Sequence, residues 1–221
     1  MSNSEPGNSE PLSFGFRVIQ KLTRFLLFLL TRLDVDGIER LPEHGPAILC
    51  PNHTAWTDAV VVLAYVRGTT TAFAAEKWEK RFPINLLMRY LGRAIFVHRG
   101  EVDRQALGKA LEVLKQDGIL GVAPEGTRSY SGVLAKGHDG AVYLASRTDS
   151  CLVPMAIWGH EDPLAEWKRL RRPHIYFRVG EPFRLPPEAR RARASELPAY
   201  TEELMRRIAA MLPPERRGPY A

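Results

Sequence analysis

One short segment of this sequence places a histidine close to an aspartate in a way that could do acid–base chemistry. Residues 52–58 read Asn-His-Thr-Ala-Trp-Thr-Asp, so His53 lies five residues before Asp58. If His53 is in a loop and Asp58 is in the next helical turn, the carboxylate can fold back onto the imidazole. That contact would fix the tautomer of His53 and let its outer nitrogen remove a proton from a hydroxyl. Taken alone, the spacing also fits a helix-start aspartate beside an ordinary loop histidine.

A second segment combines groups that suit phosphate binding. Residues 123–129 read Ala-Pro-Glu-Gly-Thr-Arg-Ser and follow a strongly apolar run. Gly126 permits an unusual backbone angle, Thr127 supplies a hydroxyl, and Arg128 supplies a planar fork of donors. A plain polar turn is the alternative interpretation. Two further cations, Arg99 and Lys136, follow other apolar runs, within Phe-Val-His-Arg-Gly and before Gly137.

The chain alternates strand-like and helical patterns, which predicts an α/β fold with a mostly parallel central sheet flanked by helices. We predict strands over residues 47–50, 71–75, 94–97, 120–123, 152–158 and 174–180. We predict helices over residues 58–66, 83–91, 102–116, 140–147 and 196–212. Because ligands gather at the carboxyl ends of parallel strands, the candidate base and the cations are expected to share one edge of this sheet.

The beginning of the chain has a different character from the domain predicted over residues 34–221. Residues 1–12 are polar and predict a disordered tail, whereas residues 13–33 predict an amphipathic helix. Its apolar run 25–30 is far shorter than the roughly 20 residues that cross a bilayer. A narrow basic stripe on an apolar helix is typical of a helix lying on an anionic membrane, although packing against its own domain is the alternative. The stripe consists of Arg17, Lys21, Arg24 and Arg32.

Composition narrows the classes of partner. The net charge is +6 and the pI is about 9.5, which favours anionic partners such as a membrane surface or a phosphorylated small molecule. Nucleic acid is not expected, because the basic residues do not alternate with stacking aromatic residues. The two cysteines, Cys50 and Cys151, lie in apolar runs and are expected to be buried free thiols. No clustered spacing of metal ligands occurs, so we expect no metal and no bound cofactor.

Four blocks in order resemble the glycerolipid acyltransferase family, which includes 1-acylglycerol-3-phosphate acyltransferases. They are Asn-His-x4-Asp, Phe-Val-x-Arg-Gly, Pro-Glu-Gly-Thr-Arg-Ser and Val-Pro-Met-Ala-Ile, and they span residues 52–157. The resemblance implies that His53 is the catalytic base and Asp58 its orienting partner. It also implies that the head of the acceptor is bound by Arg99, Glu125, Gly126, Thr127 and Arg128, with Lys136 as a weaker candidate. His98 departs from the family, since many members have Asp before the second-block Arg.

The same resemblance implies a reaction. Acyl-CoA or acyl carrier protein would donate a fatty acyl group to the hydroxyl of 1-acylglycerol-3-phosphate, giving phosphatidic acid for phospholipid synthesis. We expect the enzyme to work as a peripheral or monotopic protein on the cytoplasmic face of a membrane. Another lysophospholipid or glycerol-3-phosphate as acceptor remains open, as does a lipid or thioester hydrolase in which His53 activates water.

Overall fold

Seven strands form one sheet in the computed structural model, which describes residues 14–75, 94–97 and 104–221. The strands are β1 (Arg32–Asp36), β2 (Ala47–Pro51), β3 (Thr70–Ala75), β4 (Ala94–Val97), β5 (Ile119–Gly121), β6 (Cys151–Trp158) and β7 (His174–Val179). Their order across the sheet is β1-β7-β6-β2-β5-β3-β4. Every neighbouring pair is parallel except β6 and β7, so the predicted mostly parallel sheet is confirmed.

Helices cover both faces of the sheet. They are α1 (Phe14–Leu30), α2 (Thr57–Tyr65), α3 (Arg104–Lys115), α4 (Gly140–Thr148), α5 (Pro163–Lys168) and α6 (Leu197–Met211). One hydrophobic core joins α3, α4 and α6 to the sheet, and a second core joins α1 and α2 to the other face. The predicted α/β class is therefore confirmed, with bounds that differ by a few residues from the predicted ones.

Two elements were not predicted, and two predictions cannot be compared with the structure. The first two residues of strand β1 were included in the predicted helix 13–33, but α1 ends at Leu30 and the Arg32 amide donates to the Pro173 carbonyl at 2.8 Å. The pairing of β1 with β7 thus overrides the local helical pattern. Helix α5 is too short to show a periodic pattern. The predicted tail 1–12 and helix 83–91 lie outside the described residues.

Helix α1 is apolar on two opposite faces. Phe16, Gln20 and Leu27 are buried against the domain, and the Gln20 amide donates to the carbonyls of Leu63 and Val66 at 2.8 and 2.9 Å. The opposite face exposes large apolar side chains, namely Phe14, Val18, Leu22, Phe25, Leu26, Phe28, Leu29 and Leu30. Among the described residues, no helix has the length and apolar character needed to span a bilayer.

One member of the predicted basic stripe is exposed but also contacts the domain. Arg24 donates from Nε to the Ala64 carbonyl at 2.6 Å, and its guanidinium lies 5.0 Å from the centre of the Tyr65 ring. It therefore binds α1 to the end of α2, where an unpaired carbonyl at the helix terminus needs a donor. The remaining stripe on α1 consists of Arg17 and Lys21, which are exposed.

The side chain of Asn52 extends the pairing between β2 and β6 beyond the end of β2. Its amide donates to the Ile157 carbonyl at 2.9 Å, and its oxygen accepts from the Ile157 amide at 2.7 Å. Asn52 is 3% exposed and Ile157 is fully buried. The residue preceding His53 is thus fixed to the neighbouring strand by two hydrogen bonds of the kind that a sheet partner would make.

Replacing this side chain should destabilise the fold. Asn52→Ala leaves the buried N–H and C=O of Ile157 without partners, and each unsatisfied group costs about 1–3 kcal/mol. We expect the free energy of unfolding to fall by about 2–6 kcal/mol, measured by urea denaturation. The control Gln116→Ala removes an exposed amide and should change it by less than about 0.5 kcal/mol. Equal effects of the two variants would contradict this role of Asn52.

Candidate active site

The candidate base and its orienting carboxylate meet as predicted. His53 lies in the loop after β2, and Asp58 lies in the first turn of α2. His53 Nδ1 is 2.8 Å from Asp58 Oδ2, so the carboxylate folds back onto the imidazole. The His53 side chain is 27% exposed, and its Nε2 has no hydrogen-bond partner among the described residues. A base needs this combination of a fixed inner nitrogen and an accessible outer one.

The carboxylate of Asp58 is buried and has four hydrogen-bond donors. Besides His53, the backbone amides of Thr54 and Ala55 donate to Oδ2 at 2.8 and 2.9 Å. On the other oxygen, Oδ1, His160 Nε2 lies at 2.7 Å. Burial raises the pKa of Asp58, but the hydrogen bonds from the two histidines and from the Ala55 amide outweigh it and hold the pKa below its ordinary value.

His160 is a site residue that sequence analysis missed. It is 1% exposed, it follows β6 by two residues, and its Nδ1 has no hydrogen-bond partner in the described structure. Because Nδ1 faces no acceptor, the surroundings favour the tautomer whose hydrogen is on Nε2, where it points at Asp58. The signal available from sequence was its position: it stands at the carboxyl end of a predicted strand, like His53.

The buried carboxylate of Glu125 joins the loop after β5 to the loop after β2. Its Oε1 accepts from the His53 amide and its Oε2 from the Ala135 amide, both at 2.8 Å. The Ser129 amide donates to the His53 carbonyl at 2.8 Å, which adds a second connection. Burial raises the pKa of Glu125, and the two amide donors offset this only in part. Glu125 was expected to bind the acceptor head, yet both its oxygens contact backbone inside the protein.

The remaining residues of the Glu-Gly-Thr-Arg loop lie at the surface beside His53. Gly126 has φ +67°, and a Cβ there would lie 3.1 Å from Cδ2 of His138, so a side chain is disfavoured on both counts. Thr127 is exposed and Arg128 is half-buried. Within the described residues, the guanidinium of Arg128 has no ion-pair partner and lies 5.5 Å from the centre of the Tyr130 ring.

Lys136 belongs to the same cluster of loops. It is exposed and follows Ala135, the residue whose amide binds Glu125. His138, which sequence analysis did not consider, is also exposed, and its amide donates to the Pro124 carbonyl at 2.8 Å. The segment 124–138 therefore folds back on itself at the carboxyl end of β5, beside the His53 loop.

Arg99 and His98 lie outside the described residues. The strand that precedes them, β4, ends at Val97 and stands three places from β2 in the sheet. At a strand spacing of about 4.8 Å, the two strands are roughly 14 Å apart. The role of Arg99 in binding the acceptor stays a prediction.

Neither thiol is placed to act as a nucleophile. Cys50 is buried within β2 and Cys151 is partly buried at the start of β6, and both are free. Burial raises the pKa of both thiols above the ordinary value, so little of either is present as thiolate at neutral pH. The described structure thus offers His53 as the group best placed for proton transfer.

Comparison with known proteins assigns this arrangement to a family. The family model described as Acyltransferase matches residues 32–158, which is more than half of the 221 residues. A 1-acyl-sn-glycerol-3-phosphate acyltransferase of Bacillus subtilis is 26% identical over 190 residues, covering 84% of this chain and 90% of that protein. One of Borreliella burgdorferi is 26% identical over 130 residues, covering 58% of this chain and 51% of that protein. The chain thus spans about half the length of the latter relative.

A solved structure supports the same assignment. The crystal structure of the 1-acyl-sn-glycerophosphate (LPA) acyltransferase PlsC from Thermotoga maritima superposes with a TM-score of 0.67 and 26% sequence identity. The match covers 86% of this chain and 76% of that one. The His53–Asp58 pair and the Glu-Gly-Thr-Arg loop both fall inside the range that the family model matches. This chain belongs to the acyltransferase family.

Proposed function

We propose that this chain transfers a fatty acyl group from acyl-CoA or acyl carrier protein to the free hydroxyl of 1-acylglycerol-3-phosphate, forming phosphatidic acid. The observation that carries the proposal is the 2.8 Å contact between His53 and Asp58 at the carboxyl end of β2, in a chain of the acyltransferase family. The relatives named 1-acyl-sn-glycerol-3-phosphate acyltransferase support this acceptor.

The geometry suits direct transfer without a covalent enzyme intermediate. His53 Nε2 takes the proton of the acceptor hydroxyl while that oxygen attacks the thioester carbonyl carbon. The C–S bond of the tetrahedral intermediate then breaks, and the departing thiolate takes the proton back from His53. Asp58 holds the imidazole in the required orientation and stabilises the positive charge that forms on it. A thiolate is a stable leaving group, so no separate strong acid is needed.

We assign the phosphate of the acceptor to the cationic surface beside His53. Arg128 offers a donor fork there that has no ion-pair partner within the described ranges, and the backbone turn at Gly126 and the hydroxyl of Thr127 are accessible. Lys136 and Arg99 are further candidate ligands. Glu125 is assigned a positioning role instead, because its buried carboxylate accepts a hydrogen bond from the His53 amide. A carboxylate in direct contact with the phosphate would also repel it.

The outer face of α1 supports association with a membrane, where the lipid substrate is found. Eight large apolar side chains are exposed on this helix, beside the cations Arg17 and Lys21. Such a helix suits an interfacial position, with apolar side chains among the acyl chains and cations near anionic headgroups. We propose peripheral or monotopic binding to the cytoplasmic face of an anionic membrane.

The reaction is tested by release of free thiol from acyl-CoA and from acyl carrier protein, with and without 1-acylglycerol-3-phosphate. We expect release that depends on the acceptor and falls by about 10²–10⁴-fold in His53→Ala, because the general base is lost. His44→Ala is the control, since His44 is exposed near the start of β2, at the opposite edge of the sheet. Release of thiol without any acceptor would indicate a hydrolase. Release that requires another lysophospholipid or glycerol-3-phosphate, and does not occur with 1-acylglycerol-3-phosphate, would show that the proposed acceptor is wrong.

A second experiment tests whether Arg128 binds the phosphate of the acceptor. Removing a hydrogen bond to a charged group costs about 1.5–3 kcal/mol, so Arg128→Gln should raise KM for 1-acylglycerol-3-phosphate by about 10- to 100-fold. The KM for an uncharged monoacylglycerol should not change. Arg190→Gln serves as the control, because Arg190 pairs with Asp149 at the opposite edge of the sheet. An equal rise in KM for both acceptors would refute the assignment.

The pH profile tests His160 as a positioning residue. In His160→Leu, Asp58 loses one hydrogen bond and attracts the proton on His53 more strongly, so the acidic limb of kcat/KM should move to higher pH. Since Asp58 is also held less firmly, kcat should fall by about 10- to 100-fold. His160→Gln can still donate to Asp58 and should restore most of the activity. A loss of stability with an unmoved acidic limb would show a merely structural role.

A further inference from the structure

Two leucines are exposed in the segment 163–172, which comprises α5 and the residues that lead toward β7. Leu170 is 96% exposed and Leu164 is 53% exposed. Leu170 also adopts φ +54°, a left-handed conformation that leucine rarely takes because its Cβ crowds the backbone. The backbone at Leu170 is therefore in an unfavourable conformation, and the apolar side chain that it carries is exposed to solvent.

Cations surround Leu170 in the sequence. Residues 168–172 read Lys-Arg-Leu-Arg-Arg, so every residue of this stretch except the leucine is basic. Lys168 and Arg171 are exposed and have no ion-pair partner among the described residues. Arg169 is also exposed, and one nitrogen of its guanidinium lies 3.7 Å from a carboxylate oxygen of Glu166. An exposed leucine among exposed cations is complementary to the apolar interior and anionic headgroups of an anionic lipid surface.

This segment lies against the end of α1. Trp167 Nε1 donates to the Leu30 carbonyl at 2.9 Å, and Arg172 Nε donates to the Thr31 carbonyl at 3.1 Å. The Arg172 guanidinium also lies 6.0 Å from the centre of the Phe28 ring. The segment is therefore adjacent to the end of α1, where apolar side chains are also exposed.

The register of the sheet places both pieces at the edge that holds His53. Trp158 at the carboxyl end of β6 pairs with Tyr176 near the start of β7, and His174 pairs with Arg32 at the start of β1. The residues between β6 and β7 and the end of α1 consequently lie at the edge where β2 and β6 end. The segment also begins three residues after His160, which binds Asp58.

We propose that the segment 163–172 is a second membrane-docking element, which inserts Leu164 and Leu170 into an anionic bilayer and binds lipid phosphates through Lys168, Arg169 and Arg171. Together with α1, it holds the edge of the sheet that carries His53 toward the bilayer, so the lipid acceptor need not cross water to reach the base. The inference rests on the proposed function and deepens it, since it concerns how the membrane-bound acceptor meets the site.

The test measures partition of the full chain onto vesicles of phosphatidylcholine, alone or with phosphatidylglycerol. Leu170→Asn removes the apolar side chain, and asparagine tolerates a left-handed backbone, so the fold should keep its stability. We expect about 10-fold weaker partition for Leu170→Asn. The charge reversal Lys168→Glu with Arg171→Glu should weaken partition by about 10-fold or more on anionic vesicles only. Lys115→Glu is the control, because Lys115 ends α3 at the opposite edge of the sheet and should leave partition unchanged.

Activity separates this inference from the proposed function. Leu170→Asn should transfer acyl groups more slowly to an acceptor embedded in vesicles, but at the wild-type rate to a short-chain, monomeric acceptor. Wild-type partition of Leu170→Asn and of the charge reversal would overturn the docking role, whatever the enzyme does. If Leu170→Asn changed the oligomeric mass of the protein and left vesicle binding unchanged, the docking role would also be overturned. The segment 163–172 would then be an interface with a second copy of the chain. Absence of transfer in the wild type, with vesicle binding still sensitive to Leu170, would refute only the proposed function.

Discussion

The charge of Asp58 is the constraint on which the site depends. A carboxylate that is 2% exposed is stable only if donors replace the water it has lost, and four donors do so here. They come from His53, from the backbone of Thr54 and Ala55, and from His160. The loops after β2 and β6 must therefore take one arrangement for the domain to fold. The orientation of the imidazole follows from that arrangement and needs no contribution from the substrate.

Two buried carboxylates at this edge behave differently because their donors differ. Asp58 receives hydrogen bonds from two histidines, and its pKa lies below the ordinary value despite burial. Glu125 accepts hydrogen bonds from two backbone amides, and burial keeps its pKa above the ordinary value. The first carboxylate can thus respond to a charge that forms on His53, whereas the second fixes the backbone of that residue. Asp58 therefore acts as an electrostatic partner of the imidazole, whereas Glu125 holds the backbone of the loop in place.

Much of the fold and part of the site could be predicted from sequence, for physical reasons. Alternating apolar runs gave six of the strands, since burial in a sheet dictates their composition. The pairing of His53 with Asp58 could be inferred because it is local. His160 could not, because it joins Asp58 only through the adjacency of β6 and β2, about 100 residues apart in the chain. The contact of Glu125 with the His53 amide could not be predicted for a similar reason, as nothing local indicates this partner.

The two apolar faces of α1 also have a practical consequence for isolating the protein. We expect the outer face to favour association of free chains in water, and we expect detergent or lipid to keep them apart. Removing the helix is a poor remedy, because Phe16 and Leu27 close the hydrophobic core that contains Val61 and Phe177. A chain shortened in this way would exchange one exposed apolar surface for another and lose stability as well. Solubility and folding of this enzyme therefore cannot be improved independently at its amino-terminal helix.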